Sequence, residues 1–493
     1  MFTRTVTALA LVALSAVGTS AQVPTQNAPA QTPSTKGVVL KGRAPVSNDI
    51  LKVTLPRAQQ ADLVNGVHLI VLEDHRVPQI SIRLDIRGAG GYFDPADMPG
   101  VATVVAAMLS EGTKTRTSQQ IAEQLETLAA SVNINSDMAF ESTGVTASCL
   151  VDNLDQVLDL AADILLNPSF PEQELARYKL RTKAMLMQQR ANPGALANEM
   201  FSRLVYGGHP AGRTLTAANV DTITRDALVA FHAARYAPDH AVIGVVGDTT
   251  LKEIKAKLDT KLAAWTKKGL AKPDVADPEA ISAGKVSLVD RANSVQTNLI
   301  VGTQAIPRTS SDYDVLSVTN AIIGGGPTGR LFLNLREEKG YTYGAYSRMS
   351  TPRYRGDWGA STQVRTDVTE PALTEILKEV ARLRDERIPD KEFQDKKRSL
   401  VANFALSLET PSAILGNYVT SWAYGMPADY WDKYPERIMA ITQDQIQAAA
   451  RKYFDSTRLQ IVAVGDGKKI GEGLKKFGTL DIYDTDGKLV GGR

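Results

Sequence analysis

The chain has 493 residues with 56 Lys and Arg against 54 Asp and Glu, a formal charge of +2, so it carries no electrostatic footprint for nucleic acid or an anionic lipid surface. Hydrophobic residues make up 43% and charged residues 22%, the balance of a globular protein that can bury a large core. Cys149 is the single cysteine, which excludes intramolecular disulfides and cysteine-built metal sites.

In chain order, Arg4, an apolar run over residues 8–17 and the small residues Thr19, Ser20 and Ala21 have the layout of a secretory signal peptide, residues 1–21, cleaved after Ala21. Residues 22–44 begin rich in Pro, Gln, Thr and Ala and read as a flexible leader. The mature protein is therefore expected in the periplasm or secreted. No later segment approaches the roughly 20 apolar residues that a spanning helix needs.

Strands are expected at 69–72 and 80–86, followed by a helix over 100–109. Thr117 opens a second helix with Gln120 in capping-box position, and Ile121, Leu125 and Leu128 form its apolar face. Further strands at 132–134 and 144–150 precede helices over 154–166 and 172–190. Cys149 falls in the second of those strands, alternating with Val145 and Ala147, and reads as a buried, inert thiol. Hairpins followed by paired helices predict an α+β fold in which an antiparallel sheet is covered by helices on one face.

The same plan occurs twice. Pro171-Glu172 matches Pro389-Asp390, Pro193 matches Pro411, and Tyr206-Gly207 matches Tyr424-Gly425, all at an offset of 218. The strand ending Val246-Gly247-Asp248 matches the one ending Val464-Gly465-Asp466. Two homologous domains follow, 45–265 and 285–493, joined by a Pro-, Gly- and charge-rich linker over 266–284.

In the second half, Gly324, Gly325 and Gly326 permit a loop that another chain could approach closely, and they are candidate substrate-binding positions. Pro327 fits a helix start, Leu331, Phe332 and Leu335 an apolar stripe, and Gly340 a stop. Arg336 then lies in the last turn, and a strand over 341–346 puts Tyr341, Tyr343 and Ala345 on one face. A guanidinium and a phenol so placed can both donate hydrogen bonds to one carbonyl oxygen. Local sequence leaves open a plainer reading: a solvated arginine beside Glu337 and Glu338, and a packed tyrosine.

From Leu63 the chain carries Asn65-Gly66, Pro78, Gly88, Gly91, Asp94-Pro95, Gly100, Met108 and Gly112-Thr113, and its second half carries GGGPTGRLFLNLREEKGYTYG. Over residues 45–490 this resembles the M16 metallopeptidase family of insulinase, pitrilysin and mitochondrial processing peptidase relatives. The resemblance implies a pair of similar α+β units of the LuxS/MPP-like metallohydrolase type, enclosing a peptide-binding chamber. Active members carry H-x-x-E-H on the helix after the glycine matched by Gly100, with two histidines on zinc and the glutamate as base. Here those positions hold Thr103, Ala106 and Ala107, and the stretch where the third ligand is expected, around Ala184 and Met187, contains no carboxylate. The five histidines, His68, His75, His209, His232 and His240, form no pair at the spacing that puts two rings on one helix face.

In two-chain members of the family, the subunit without the zinc motif supplies an Arg/Tyr pair seven residues apart, the spacing of Arg336 and Tyr343. The resemblance implies the non-zinc subunit of a peptidase, with no cofactor of its own, zinc in a heterodimeric or larger partner, and a peptide substrate. Arg336 and Tyr343 would act in trans with that partner. Two other readings stay open: a catalytically inactive peptide-binding or assembly scaffold, and a hydrolase with an unrecognised site.

Overall fold

The computed structural model describes residues 50–492, so the expected signal sequence and leader lie outside the described residues. The first sheet comprises β1 Gln59–Asp62, β2 His68–Glu73, β3 Gln79–Arg87, β4 Ser131–Asn135, β5 Ser142–Leu150 and β6 Ala241–Gly247, in the order β1-β2-β6-β3-β5-β4. The second comprises β7 Lys285–Asp290, β8 Gln296–Gln304, β9 Thr342–Ser350, β10 Asp357–Arg365, β11 Gln460–Gly465, β12 Leu480–Tyr483 and β13 Leu489–Gly492, ordered β13-β12-β7-β11-β8-β10-β9.

Both sheets are mixed, which corrects the expectation of antiparallel pairing throughout. β6 enters between β2 and β3, parallel to β2 and antiparallel to β3. In the second half β11 does the same between β7 and β8, and β12 is also parallel to β7. A hairpin forces reversal, whereas the long helical connection between β5 and β6 brings the chain back to run beside β2. Side-chain alternation is the same in either direction, so the sequence pattern carries no trace of this.

The helices start where the residues dictate. Thr117 accepts from Gln120 N and the Gln120 side chain returns to Thr117 N, opening helix Ser118–Thr127 with the expected capping box. Helices Leu154–Leu166 and Glu172–Arg190 match their expected bounds, and Asp390–Ser407 and Pro411–Tyr424 repeat Glu172–Arg190 and Pro193–Tyr206 at the same offset. On one face of the first sheet, Leu69, Val71 and Ile80 pack against Val101, Val105 and Met108 of helix Val101–Met108 and against Val157 and Leu160. Cys149 is part of this core, and burial pushes its thiol up to about 11.

The opposite faces correct a second expectation, that helices cover one side only. Ile70, Leu72, Val242 and Val246 of the first sheet pack against Ile414, Leu415 and Val419, which belong to helix Pro411–Tyr424 of the other half. Reciprocally, Leu196, Met200, Phe201 and Val205 of helix Pro193–Tyr206 pack with Val289, Ile300, Val462 and Val464 of the second sheet. Each half therefore lends its equivalent helix to the other. At about 1.5–3 kcal/mol per buried large apolar side chain, pulling the halves apart would be costly.

Polar contacts seal the same junction. Arg353 Nε donates to both carboxylate oxygens of Glu141 at 2.8 and 2.9 Å, and Gln304 Nε2 donates to Val205 O at 2.8 Å. Residues 266–284 hold no helix or strand, but they are tied down: Asp239 accepts from Lys268 N and Leu270 N, and the Tyr92 hydroxyl accepts from Ala276 N. Among the described residues no helix is long and apolar enough to cross a membrane.

Candidate functional site

Helix Val101–Met108 begins after Gly100, whose N–H donates to Asp94 Oδ2 at 2.6 Å while Ala102 N donates to Asp94 Oδ1 at 2.9 Å. Burial raises the Asp94 carboxyl to about 6, against the two amide bonds and Arg213, which favour its ionised form. Val101, Ala102, Val104, Val105, Ala106 and Met108 are buried, as a helix apolar nearly all round requires.

The residues at the position of the family's zinc motif do not fit a metal. Ala106 and Ala107 offer methyl groups, and Thr103 offers one buried hydroxyl with no hydrogen-bond partner. Helix Glu172–Arg190 presents Met185 and Met187 to solvent where a carboxylate ligand would stand. Each histidine is engaged elsewhere: His232 and His240 donate to Leu165 O and Leu270 O, His209 donates to Ala276 O, and His68 and His75 face Asp62 and Asp248. Among the described residues no three His, Cys, Asp or Glu side chains gather into a metal-binding group.

In the second half, Gly324, Gly325 and Gly326 follow helix Tyr313–Ile323. Gly324 is needed for a close approach within the chain itself: a Cβ there would stand 2.6 Å from Ser347 N, which donates to Gly324 O. Gly325 is pressed against Ala321, whereas Gly326 has nothing within 4 Å of an added Cβ, so it alone of the three has room for an approaching chain. Pro327 lies in a turn closed by Gly329 N on Gly326 O, and the helix begins only at Arg330, three residues later than its proline implies.

From Leu333 to Glu338 the helix widens into a π turn, with Lys339 N on Asn334 O. Such turns insert a residue and gather at functional sites. Gly340, at φ +62°, ends it with N–H on Arg336 O, and Tyr341 N bonds Leu335 O, a left-handed cap one residue wider than that of an α-helix. Three buried polar contacts fix this segment. Arg330 meets Glu392 through two bonds of 2.8 and 2.9 Å, and Asn334 Nδ2 donates to Glu375 and Glu379 at 2.8 Å each. Lys396 Nζ donates to Thr328 O and Oγ1. The Asn334 bond holds the Glu375 carboxyl below its ordinary range, and burial lowers the Lys396 ammonium.

Arg336 projects from the π turn with its side chain 46% exposed, 3.5 Å from Glu337 and with its guanidinium over the Phe332 ring at 4.8 Å. Phe332 in turn lies 5.5 Å from the ring of Tyr346, on β9. Tyr343 stands on the same strand, which is the outer edge of the sheet. Ala345 pairs with Thr362 and Thr342 with Val364, so Tyr343 and Gly344 together oppose Gln363 in a β-bulge. The bulge breaks the period of two: Ala345 is 1% exposed and Tyr343 is 91% exposed. The expected shared face of Tyr341, Tyr343 and Ala345 is thus corrected. Thr342 Oγ1 closes the bulge by donating to Gln363 O and accepting from Gly344 N.

Arg336 and Tyr343 consequently sit on one helix–turn–strand unit, both open to solvent, with no hydrogen bond between their side chains. The plainer reading holds for the arginine's neighbour Glu337 but not for the tyrosine, which packs against little. Tyr346 continues the exposed row over the buried ring of Phe332, and neither stands out in the sequence, where an aromatic at helix or strand spacing reads as core. Chemically the unit offers a cation and two phenols along a free sheet edge, suited to polarising carbonyl groups of an extended chain.

Comparisons with known proteins bear on the family and the fold. The family model described as insulinase (peptidase family M16) matches residues 69–219, and the one described as peptidase M16 inactive domain matches residues 222–400. The uncharacterised zinc protease YmxG of Bacillus subtilis is 24% identical over 399 residues, 79% of this chain and 94% of its own. An uncharacterised zinc protease of Rickettsia bellii is 25% identical over 407 residues, 81% and 96% of the two chains. The crystal structure of a peptidase M16 inactive domain from Pseudomonas fluorescens superposes with a TM-score of 0.76 at 29% identity, over 83% of this chain and 98% of that one. A protease from Helicobacter pylori shares the fold with a TM-score of 0.77 at 17% identity, over 84% and 100% of the chains. With both domain models matched in order and the fold shared along most of its length, this chain belongs to the M16 peptidase family.

Proposed function

We propose that this protein is the non-zinc subunit of a periplasmic M16 peptidase, inactive alone, that lends Arg336 and Tyr343 and one part of a peptide-binding chamber to a zinc-bearing M16 partner. The observation that carries this reading is Tyr343: a bulge turns its phenol out of the sheet to 91% exposure, free of any packing duty, while helix Val101–Met108 has lost every metal-binding side chain. A peptide would add as a strand to the outer edge of β9 ahead of Ser347, whose N–H is already held by Gly324 O, reading backbone rather than side chains. Gly326 supplies clearance beside that edge, with Gly324 and Gly325 shaping the loop. Arg336 would anchor the substrate backbone, and Tyr343 would donate to the scissile carbonyl or its tetrahedral oxyanion. Zinc, base and water belong to the partner. The periplasmic address rests on the signal-like N-terminus.

The apolar zinc-motif helix also favours a second reading, a scaffold that binds peptide or a partner without catalysis. The test is to mix the purified chain with an H-x-x-E-H relative from the same organism and assay a quenched peptide. Hydrolysis only in the mixture, reduced at least tenfold by Arg336→Ala or Tyr343→Phe, supports complementation. A mixture indifferent to both substitutions overturns the Arg/Tyr role in favour of the scaffold. Metal-dependent hydrolysis by this chain alone overturns both.

A further inference from the structure

Away from the Arg336 and Tyr343 edge, the second half contains a cavity of about 520 Å³ between helix Thr369–Asp385, the start of β7, β11 and the turn that follows helix Gly467–Leu474. That volume lies within the range of small-ligand sites. Val380, Ile461 and Phe477 contribute an apolar wall. The charged side chains lining it are Lys285 and Arg384, and no carboxylate lines it. Arg384 Nη1 donates to Ser456 Oγ at 3.3 Å, but its Nε is buried and has no partner. Two cations beside apolar surface with no carboxylate to balance them favour an anionic ligand that also has an apolar part.

The first half has a smaller cavity of about 430 Å³ beside the equivalent stretch, lined by Asn65, Ala263 and Lys267 among others. There, the stretch after helix Leu251–Lys261 turns Trp265 into the core, 4% exposed, with its indole N–H donating to Tyr236 O at 3.2 Å. The corresponding turn of the second half runs Phe477, Gly478, Thr479, and its Phe477 ring packs against the core at the cavity wall.

We propose that this cavity binds an aliphatic carboxylate, its chain against Val380, Ile461 and Phe477 and its carboxylate between the Arg384 guanidinium and Lys285. Such a group comes from a fatty-acid-like molecule or from the C-terminus of a peptide ending in an apolar residue, and one experiment separates them. The full chain is titrated with decanoate by calorimetry, with decanol as the uncharged control. Decanoate is expected to bind at least tenfold more tightly than decanol. Arg384→Gln should weaken it tenfold or more, and Ala381→Phe, which adds a ring to the lining, should abolish binding, with both variants keeping the wild-type circular dichroism and melting midpoint. Displacement of decanoate by Ala-Ala-Leu, but not by its C-terminal amide, assigns the carboxylate to peptide termini. Failure to displace assigns it to a fatty-acid-like ligand. Absence of decanoate binding at millimolar concentration, equal binding of decanol, or binding unchanged in both folded variants would overturn the proposal.

Discussion

The Tyr206 hydroxyl donates a 2.7 Å hydrogen bond to Asp357 Oδ1 across the junction of the two halves, with both side chains buried. Burial raises the pKa of both groups, and Arg348, 3.2 Å from the other carboxylate oxygen, favours the ionised form of Asp357. Tyr206→Phe removes the donor and leaves a buried carboxyl short of a partner. A loss of about 1–3 kcal/mol is expected in urea unfolding. A double-mutant cycle with Asp357→Asn should return a clear coupling energy, and strictly additive losses would mean that the two groups do not act as a pair.

The exposed pair should be dispensable for folding. Tyr343→Phe and Arg336→Ala are expected to change stability by no more than about 0.5 kcal/mol, as for other solvent-facing positions. Phe332→Ala, which empties the buried ring beneath Arg336, should cost about 3 kcal/mol or more. Thermal unfolding of the three variants checks this. A large loss for Tyr343→Phe would show that its hydroxyl serves structure.

Among the loop glycines the effect of an added methyl should differ by position. Gly324→Ala drives a Cβ to 2.6 Å from Ser347 N and 2.7 Å from its Oγ, and should destabilise by about 1–3 kcal/mol as β9 is pushed away. Gly326→Ala meets nothing within 4 Å and should be nearly neutral to stability. Equal losses measured by denaturant titration would contradict this geometry.

Asp94 gives a pH dependence of defined sign. Its carboxyl is raised to about 6 by burial, above its unfolded value of roughly 4, so the fold favours the protonated form. Its contribution is complete below about pH 4 and is lost as pH rises through about 6. The stability of wild type relative to Asp94→Asn should therefore fall by about 2–3 kcal/mol between pH 4 and pH 7. Unfolding titrations at intervals across that range test it, and a difference that stays flat or rises rules out the raised pKa.

By itself the sequence determined the doubled plan, the capped helices, the apolar conversion of helix Val101–Met108 and the seven-residue spacing of Arg336 and Tyr343. All of these are local: capping residues, periodicity and identities at single positions state them directly. Tertiary structure decided the rest. Whether β6 and β11 run parallel to their neighbours depends on where a long connection returns, and alternation does not encode direction. The exchange of helices Pro193–Tyr206 and Pro411–Tyr424 between halves is hidden because an apolar helix face reads the same whichever sheet it covers. The π turn and the bulge at Tyr343 and Gly344 each insert one residue, which no period detects, and that residue turns the phenol from the core to solvent.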